Sequence, residues 1–533
     1  MEDFRDLGSQ RLCDIEYHRS TPSCQLDGEC ALCTRLQKAD QLVLEARIVL
    51  QRALEGRNQL KIENNHINDP FSQRLPVEIA CRIFTFCLPV LPTVMDFTEV
   101  DFMTRMKPLQ LTLGSVCQSW RRIAWANPRF WNYLHICLTK RTCPSIASLV
   151  SDWLGRSGQL PLVIFVHFRG DFGKSLDVEE NIIHFVDPLV QVLNSYANRL
   201  SLFAADISRS FWRKIQHNFV QLFLEGLNLM TNERLLDGGG GHVVSLGIAP
   251  SPKVLSMKGY RLQDIHVDFH NLTRFIGANL QTSDCLEVLR RSPQLLNCNF
   301  IDVPDSVALY GTVVHPSLKV LELDNFPKAL TNAIISHSLE SINFTMHCEP
   351  FASLLPFMQR TAYTIKSAVF SDAAPEDDGV TEVLEYALSL EYLSLVNVNM
   401  GDRFFRRLSK TACFPEGQTN GFLPKLKSLA FWTCMPFSWS HLHQMIVTRP
   451  LHPLMQRRPL TNITVDIYGD PGESGCESEE GSELELIGFE DLEKILDLIE
   501  SGVDIKVRDE GGQDIIAASQ DHYNTEQISD EDF

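Results

Sequence analysis

The sequence predicts an α+β chain: a long N-terminal helix, a small all-α module, then an α/β solenoid of stacked repeats with an acidic C-terminal end. Three observations predict it. A seven-residue apolar period runs through residues 31–62. Two amphipathic helical patterns rich in large apolar side chains lie within residues 70–138. After them a short motif, apolar-x-x-apolar-x-apolar, recurs to about residue 510.

Residues 1–30 show no basic stretch followed by an apolar core, so no signal peptide is expected and this part reads as a flexible N-terminus. It holds Cys13, His18, Cys24, Cys30 and Cys33, of which the last two form a Cys-x-x-Cys pair. Three or four of these could in principle ligate zinc. The spacing from Cys24 to Cys30 does not suit a zinc knuckle and no second Cys-x-x-Cys follows, so unligated thiols, no metal and no other cofactor are expected. The chain has 15 cysteines scattered over 533 residues, which suits a reducing compartment, cytoplasm or nucleus.

Residues 31–66 read as one amphipathic helix. Leu36, Val43 and Leu50 repeat every seven residues, and Ala39, Ala46, Ala53 and Leu60 form a second series offset by three. Such an a/d stripe suits either packing on a neighbouring domain or self-association through residues 31–62.

Residues 70–138 follow. Leu75-Pro76-Val77-Glu78-Ile79 opens a helix, with proline placed in the first turn where its missing N–H is harmless. Ile79, Ile83 and Phe84 are expected on one face, and Pro89 stops the helix. A segment at 88–110 with a short helix near Phe97–Met106 leads to Leu113, Val116, Cys117, Trp120, Ile123 and Ala124. These step by three, one, three, three and one, the stripe of a second amphipathic helix. Asn127-Pro128 breaks it, and Phe130 and Trp131 add an aromatic pair.

The run from Leu75 to Phe84 resembles the opening of an F-box, and the run from Leu113 through Trp120, Arg121 and Ala124 to Pro128 and Trp131 resembles the rest of that motif. The resemblance covers about 65 of the 533 residues. The segment at 88–110 is longer than the family's usual first connection, an insertion that fungal F-box-like proteins often show. The resemblance implies a module that docks on the Skp-family adaptor of a cullin–RING ubiquitin ligase. It assigns Leu75, Pro76, Ile79, Ile83, Phe84, Leu113, Val116, Cys117 and Trp120 to a docking surface plus core. Ala124 lies within the motif, Glu78 and Arg121 are polar rim candidates, and Pro128 and Trp131 close the module. Which of them touch the adaptor and which pack inside stays open.

In residues 139–510 the recurring motif is clearest at Leu318, Leu339, Leu390 and Leu426, with weaker copies beginning at Leu224, Leu272, Leu295, Ile365 and Leu460. From Leu272 to Leu390 the spacing is 23, 23, 21, 26 and 25 residues, and the two later intervals are 36 and 34. Helical patterns such as Asp284–Arg291 and Thr381–Leu388 lie between copies. The alternation points two side chains inward from a short strand, a helix covers the other side, and stacking buries a continuous core. Leu160–Phe168 reads as a further buried strand. The array resembles a divergent leucine-rich repeat, from which the consensus asparagine is mostly missing. An ordinary α/β domain with several leucine-rich strands is the other reading. The run Asp237–His242 lacks the Gly-Lys-Ser/Thr ending of a phosphate loop and reads as a flexible connection.

The net charge is −19, but residues 470–533 hold 21 acidic and 3 basic side chains, so the remaining body has 46 acidic and 45 basic and is nearly neutral. Residues 471–486 read as an acidic loop, Phe489–Ile499 and Val503–Val507 as a last helix and strand, and 511–533 as a disordered acidic tail. The pairs Arg406-Arg407 and Arg457-Arg458 read as solvated faces. No basic stripe suggests a nucleic-acid partner and no apolar run is long enough to span a membrane. Metalloprotease, nucleophile-elbow, dinucleotide and phosphate-loop motifs are all absent. The expected function is therefore that of a non-enzymatic adaptor: the F-box docks on the ligase and the repeats hold a target protein of unknown identity. A repeat scaffold that binds partners without directing ubiquitin transfer is the alternative.

Overall fold

The computed structural model describes residues 30–68, 74–88, 109–139, 143–168, 187–206, 224–231, 250–398 except 266, 309, 348 and 374–378, then 402–415, 421–433, 439–446, 455–467 and 486–531. Several expectations fall outside them: most of the N-terminal 1–30, the body of the 88–110 insertion, the glycine run at 237–242 and nearly all of the acidic loop at 471–486. The chain divides into two compact units, Met1–Leu88 with Pro108–Ala126, and Pro89–Lys107 with Asn127–Phe533.

The first unit is helical. Helix α1 spans Ala31–Asn68. Helices α2 (Val77–Phe86), α3 (Leu109–Val116) and α4 (Gln118–Ala126) follow. The expected single helix over Leu113–Ala124 is thus two. Cys117 separates them: its thiol accepts the Trp120 amide at 3.4 Å, as a capping side chain does at a helix start. The Arg121 Nε meanwhile donates to the Gly114 carbonyl at the end of α3 at 2.7 Å. Pro76 sits one residue before α2 as its N-cap, and its carbonyl accepts from the amides of Ile79 and Ala80.

The second unit is mixed α/β and carries a 14-stranded sheet whose strands are ordered strictly along the chain. They are β1 (Tyr133–Leu138), β2 (Leu162–Phe168), β3 (Leu200–Asp206), β4 (Gly226–Met230), β5 (Val254–Lys258), β6 (Arg274–Ala278) and β7 (Asn297–Ile301). Then come β8 (Val320–Leu323), β9 (Ser341–Thr345), β10 (Ser367–Ser371), β11 (Tyr392–Val396), β12 (Ser428–Thr433), β13 (Asn462–Ile467) and β14 (Asp504–Arg508). Each pairs in parallel with the next, as in Ile342–Ala368–Leu393–Leu429 across β9 to β12. Every motif copy read from the sequence, from Leu224 to Leu460, begins two residues before one of these strands. The first strand, at 133, precedes the expected boundary at 139.

Alternation explains the core. The second and fourth residues of most strands are buried: Leu321 and Leu323, Ile342 and Phe344, Ala368 and Phe370, Leu393 and Leu395, Leu429 and Phe431. Phe344 and Phe370 meet edge-on at 6.3 Å, and Phe344 also meets Phe357 of the helix Leu355–Thr361 at 5.5 Å. Parallel strands in register stack equivalent side chains, so each strand covers the apolar row of its neighbour.

The turn after the strands repeats as well. Asn279, Asp302, Asn325, Asp372 and Asn397 follow β6, β7, β8, β10 and β11 with φ between 51 and 62°, a left-handed conformation that Asn and Asp tolerate best among non-glycine residues. The sequence reading counts asparagine as mostly missing from the repeat. The structure places Asn or Asp at this turn, where the amides of Asn279, Asp372 and Asn397 donate to the end of the next strand. After β5 the left-handed position is Gly259, φ 76°, where a Cβ would collide with the Thr231 carbonyl oxygen. Gly259→Ala is expected to destabilise the second unit by roughly 2 kcal/mol, from strain plus displaced backbone. The shift in urea midpoint checks this, with Asn279→Gly as a mild comparison.

Two C-terminal expectations are corrected. Residues 515–531 form a helix, not a disordered tail. Ile515 and Ile516 are buried and Ser519 accepts the Ile487 amide at 3.0 Å, which fixes the first turns. Arg458 is not on a solvated face: it is 4% exposed. Its guanidinium donates to the carbonyls of Leu408, Thr411, Phe422 and Leu423 and to the Thr411 hydroxyl, at 2.7–3.1 Å. Burial pulls its pKa down to about 10, which leaves it charged at neutral pH.

Candidate functional site: an apolar helix face and a partly exposed sheet face

Helix α2 has two different apolar faces. Ala80 and Phe84, four residues apart, are buried, and the Phe84 ring lies 4.9 Å from that of Trp120 in α4. Leu113, Ile123 and Ala124 complete this small core. Ile79 and Ile83 were expected to share a face with Phe84. The structure separates them: at 100° per residue Phe84 lies about 140° around the helix from Ile79. Ile79 is 44% exposed, Ile83 39% and Phe86 77%. These three are spaced by four and three residues, so they form one outward stripe. Val77 on α2, Leu111 and Val116 on α3 and Trp125 on α4 are also exposed.

The residues proposed from the sequence therefore sort into distinct places. Phe84, Leu113 and Ala124 point inward, with Trp120 and Cys117 partly buried beside them. Ile79, Ile83, Val116, Pro76 and Glu78 face outward, and Leu75 is intermediate. Arg121 is tied to the Gly114 carbonyl and lies 5.8 Å over the Trp125 ring, so it is an internal strut as much as a rim charge. Pro128 and Trp131 belong to the second unit. Trp131 is buried there edge-on to Trp153 at 4.9 Å, with the Arg156 guanidinium 5.1 Å from its ring. It stands two residues before β1, where most of the later strands carry Leu or Ile, which explains why it packs with the sheet. The sequence reading missed Val77, Phe86, Leu111 and Trp125. The i, i+4, i+7 spacing of Ile79, Ile83 and Phe86 was the available signal.

The other face of the sheet changes character along the chain. In β4, β5 and β6 both faces are largely buried, including the polar Asn228 and Ser256. From β7 onward this other face is mostly only partly buried, with Asn343 in β9 and Asp504 and Lys506 in β14 exposed, although Ser394, Ala430 and Asp466 on it are buried. Ser341, Ser367, Tyr392, Ser428 and Asn462 share one row in register, and Tyr392 and Trp432 are exposed aromatics on this face. The residues just before β8 to β12 alternate in charge: Lys319, Glu340, Lys366, Glu391 and Lys427. Glu340 pairs with Lys319 and Lys366 at 3.2 Å, and Glu391 with Lys427 at 2.6 Å. Hydrogen bonds from Lys366 and Lys319 hold Glu340 below the usual carboxylate range, and one from Lys427 does so for Glu391. Such exposed pairs contribute little stability, but they line the N-terminal edge of the strands with both signs of charge.

Burial lowers the pKa of two histidines. The rings of His135 and His167 stack at 4.6 Å with a 2.7 Å hydrogen bond, and burial followed by the charge of His167 pulls His135 down to about 4. His315 is buried; its Nε2 lies 2.9 Å from the Ser292 carbonyl and its Nδ1 accepts from the amides of Ser317 and Leu318, so burial lowers its pKa too. Both favour the neutral ring in the folded state. The unfolded chain then binds more protons once the pH falls below 6.5, and stability is lost from there down through about 4. Urea midpoints are expected to drop between pH 7 and 4.5, and to drop less in His135→Phe.

Among the described residues no group of three or more His, Cys, Asp or Glu could hold a metal ion. Cys13, His18 and Cys24 lie outside them. Among the described residues no helix is long and apolar enough to cross a membrane. Comparison with models of known protein families found no match, and comparison with curated proteins found none either.

Proposed function

We propose that the chain is the substrate-recognition subunit of a Skp–cullin–F-box type ubiquitin ligase. The observation that carries this reading is the outward stripe Ile79–Ile83–Phe86, which lies in and just beyond the segment whose sequence resembles an F-box. A helical unit this small that leaves so much apolar surface in water suits a docking role. In this reading Ile79, Ile83, Phe86, Val77 and Val116 meet the Skp-family adaptor, and Phe84, Leu113, Trp120 and Ala124 hold the helices in place.

The second unit is then a divergent leucine-rich-repeat-like solenoid. The sequential parallel order of its strands and their regular left-handed turns support that reading. Its partly exposed face from β9 to β14, with Tyr392, Trp432 and the alternating charges beside them, offers the breadth and mixed chemistry that protein recognition uses. The chain itself carries out no catalysis in this scheme; the ubiquitin-transferring subunits do. The assembly works inside the cell, in cytoplasm or nucleus.

Affinity purification of the full chain with mass spectrometry tests the reading. The intact protein is expected to retain a Skp-family adaptor and a cullin, and a variant with Ile79→Asp and Ile83→Asp to lose both while keeping target proteins. Retention of targets by both, with no ligase subunit in either, would point instead to an interaction scaffold.

A further inference from the structure

Helix α1 is about 57 Å long at 1.5 Å per residue. No residue of it whose burial is described is buried, although Leu36, Leu42, Val43, Val49, Leu50, Leu54 and Leu60 are all large and apolar. Gln41 donates to Glu45 at 3.0 Å and Gln51 to Glu55 at 3.1 Å, on positions b, c and f of the heptad that puts Leu36, Val43 and Leu50 at a. Those pairs mark the water side. The opposite side carries the a and d series, flanked by Leu42 and Val49 at g and by Asp40, Arg47 and Leu54 at e.

From this pattern we infer that α1 pairs with α1 of a second copy of this chain, antiparallel, about a two-fold axis between Leu44 and Glu45. Size complementarity decides the direction. In an antiparallel pair centred there, Leu36 faces Ala53, Val43 faces Ala46 and Leu50 faces Ala39, so every central layer joins one large and one small side chain. In a parallel pair the layers alternate Leu or Val on itself with Ala on itself, which leaves gaps at Ala39, Ala46 and Ala53, and Arg57 meets Arg57 at the a position. Charge agrees. The antiparallel arrangement sets Asp40 of each copy beside Arg47 of the other and covers Leu42 with Val49 on the opposite flank, twice by symmetry. Leu44, Ile48 and Ile62 stay outside this seam.

The inference does not depend on ligase docking, and its test reads mass rather than adaptor binding. Light scattering coupled to gel filtration, and sedimentation equilibrium, are run on the full chain and on variants with unchanged melting. The wild type is expected to be a dimer at micromolar concentration. Ala46→Glu in the central layer, and Asp40→Arg, are each expected to raise the dissociation constant at least tenfold. The exchange Asp40→Arg with Arg47→Asp is expected to restore most of the affinity, because the pairs are remade with reversed sign. A monomeric wild type, or a dimer indifferent to Ala46→Glu, overturns the inference. So does failure of the exchange to restore what Asp40→Arg removes.

Discussion

A variant carrying Ile79→Asp and Ile83→Asp should bind a Skp-family adaptor at least about a hundredfold more weakly than the wild type, with the same melting temperature. Both side chains are more than a third exposed in the chain alone, so replacing them opens no buried cavity. Aspartate within α2 lowers helix propensity by only a few tenths of a kcal/mol per site. At a docked surface the change is larger. Each isoleucine anchor lost removes on the order of 2 kcal/mol, and each introduced carboxylate would be buried without a partner. Two such losses exceed the roughly 2.7 kcal/mol that a hundredfold change represents. Phe84→Ala behaves differently: the ring is buried against Trp120, and its loss should destabilise α2 to α4 by about 3–5 kcal/mol. That variant loses binding together with helicity; the aspartate pair loses binding alone.

Arg458→Met should be the most damaging single change in the second unit, by about 3–5 kcal/mol. The five acceptors around it include no carboxylate. The guanidinium instead satisfies four carbonyls and a hydroxyl drawn from the end of the helix Asp402–Lys410 and from Phe422 and Leu423. A cation is favoured at that helix end, where carbonyls lack intrahelical partners. Leu423 is held in the left-handed region, φ 48°, so this loop depends on outside support. Methionine fills some of the volume and satisfies none of the acceptors. Lysine keeps the charge but cannot reach them from one ammonium, so Arg458→Lys should recover less than half of the loss. Equilibrium urea unfolding of the three proteins checks both statements, and an Arg458→Met midpoint equal to wild type would contradict them.

Much of the second unit was legible in the sequence because one rule governs it. Each leucine that opens a motif is followed two residues later by a strand, and the inward pair, such as Ile342 and Phe344, alternates as a half-buried strand must. What stayed hidden depended on contacts made at a distance. Arg458 stands in a charged pair like any surface arginine, and only its packing against residues 35 to 50 positions earlier reveals its role. The helix at Ile515–Glu531 has a polar composition, and two isoleucines at its start are enough to dock it. The break at Cys117 was masked because the apolar stripe continues across it and a thiol is an unusual cap. Within α2, the residue types were readable but their direction was not: Ile83 and Phe84 are neighbours in sequence and face opposite environments.

The central claim is that α2 docks the chain on a ligase adaptor, and titration calorimetry with a purified Skp-family adaptor tests it most directly. The full chain is expected to bind one adaptor per chain with a dissociation constant in the micromolar range or tighter, and the Ile79→Asp, Ile83→Asp protein to give no measurable heat. A wild-type chain that shows no binding, or an aspartate variant that binds as tightly as the wild type, would contradict the account.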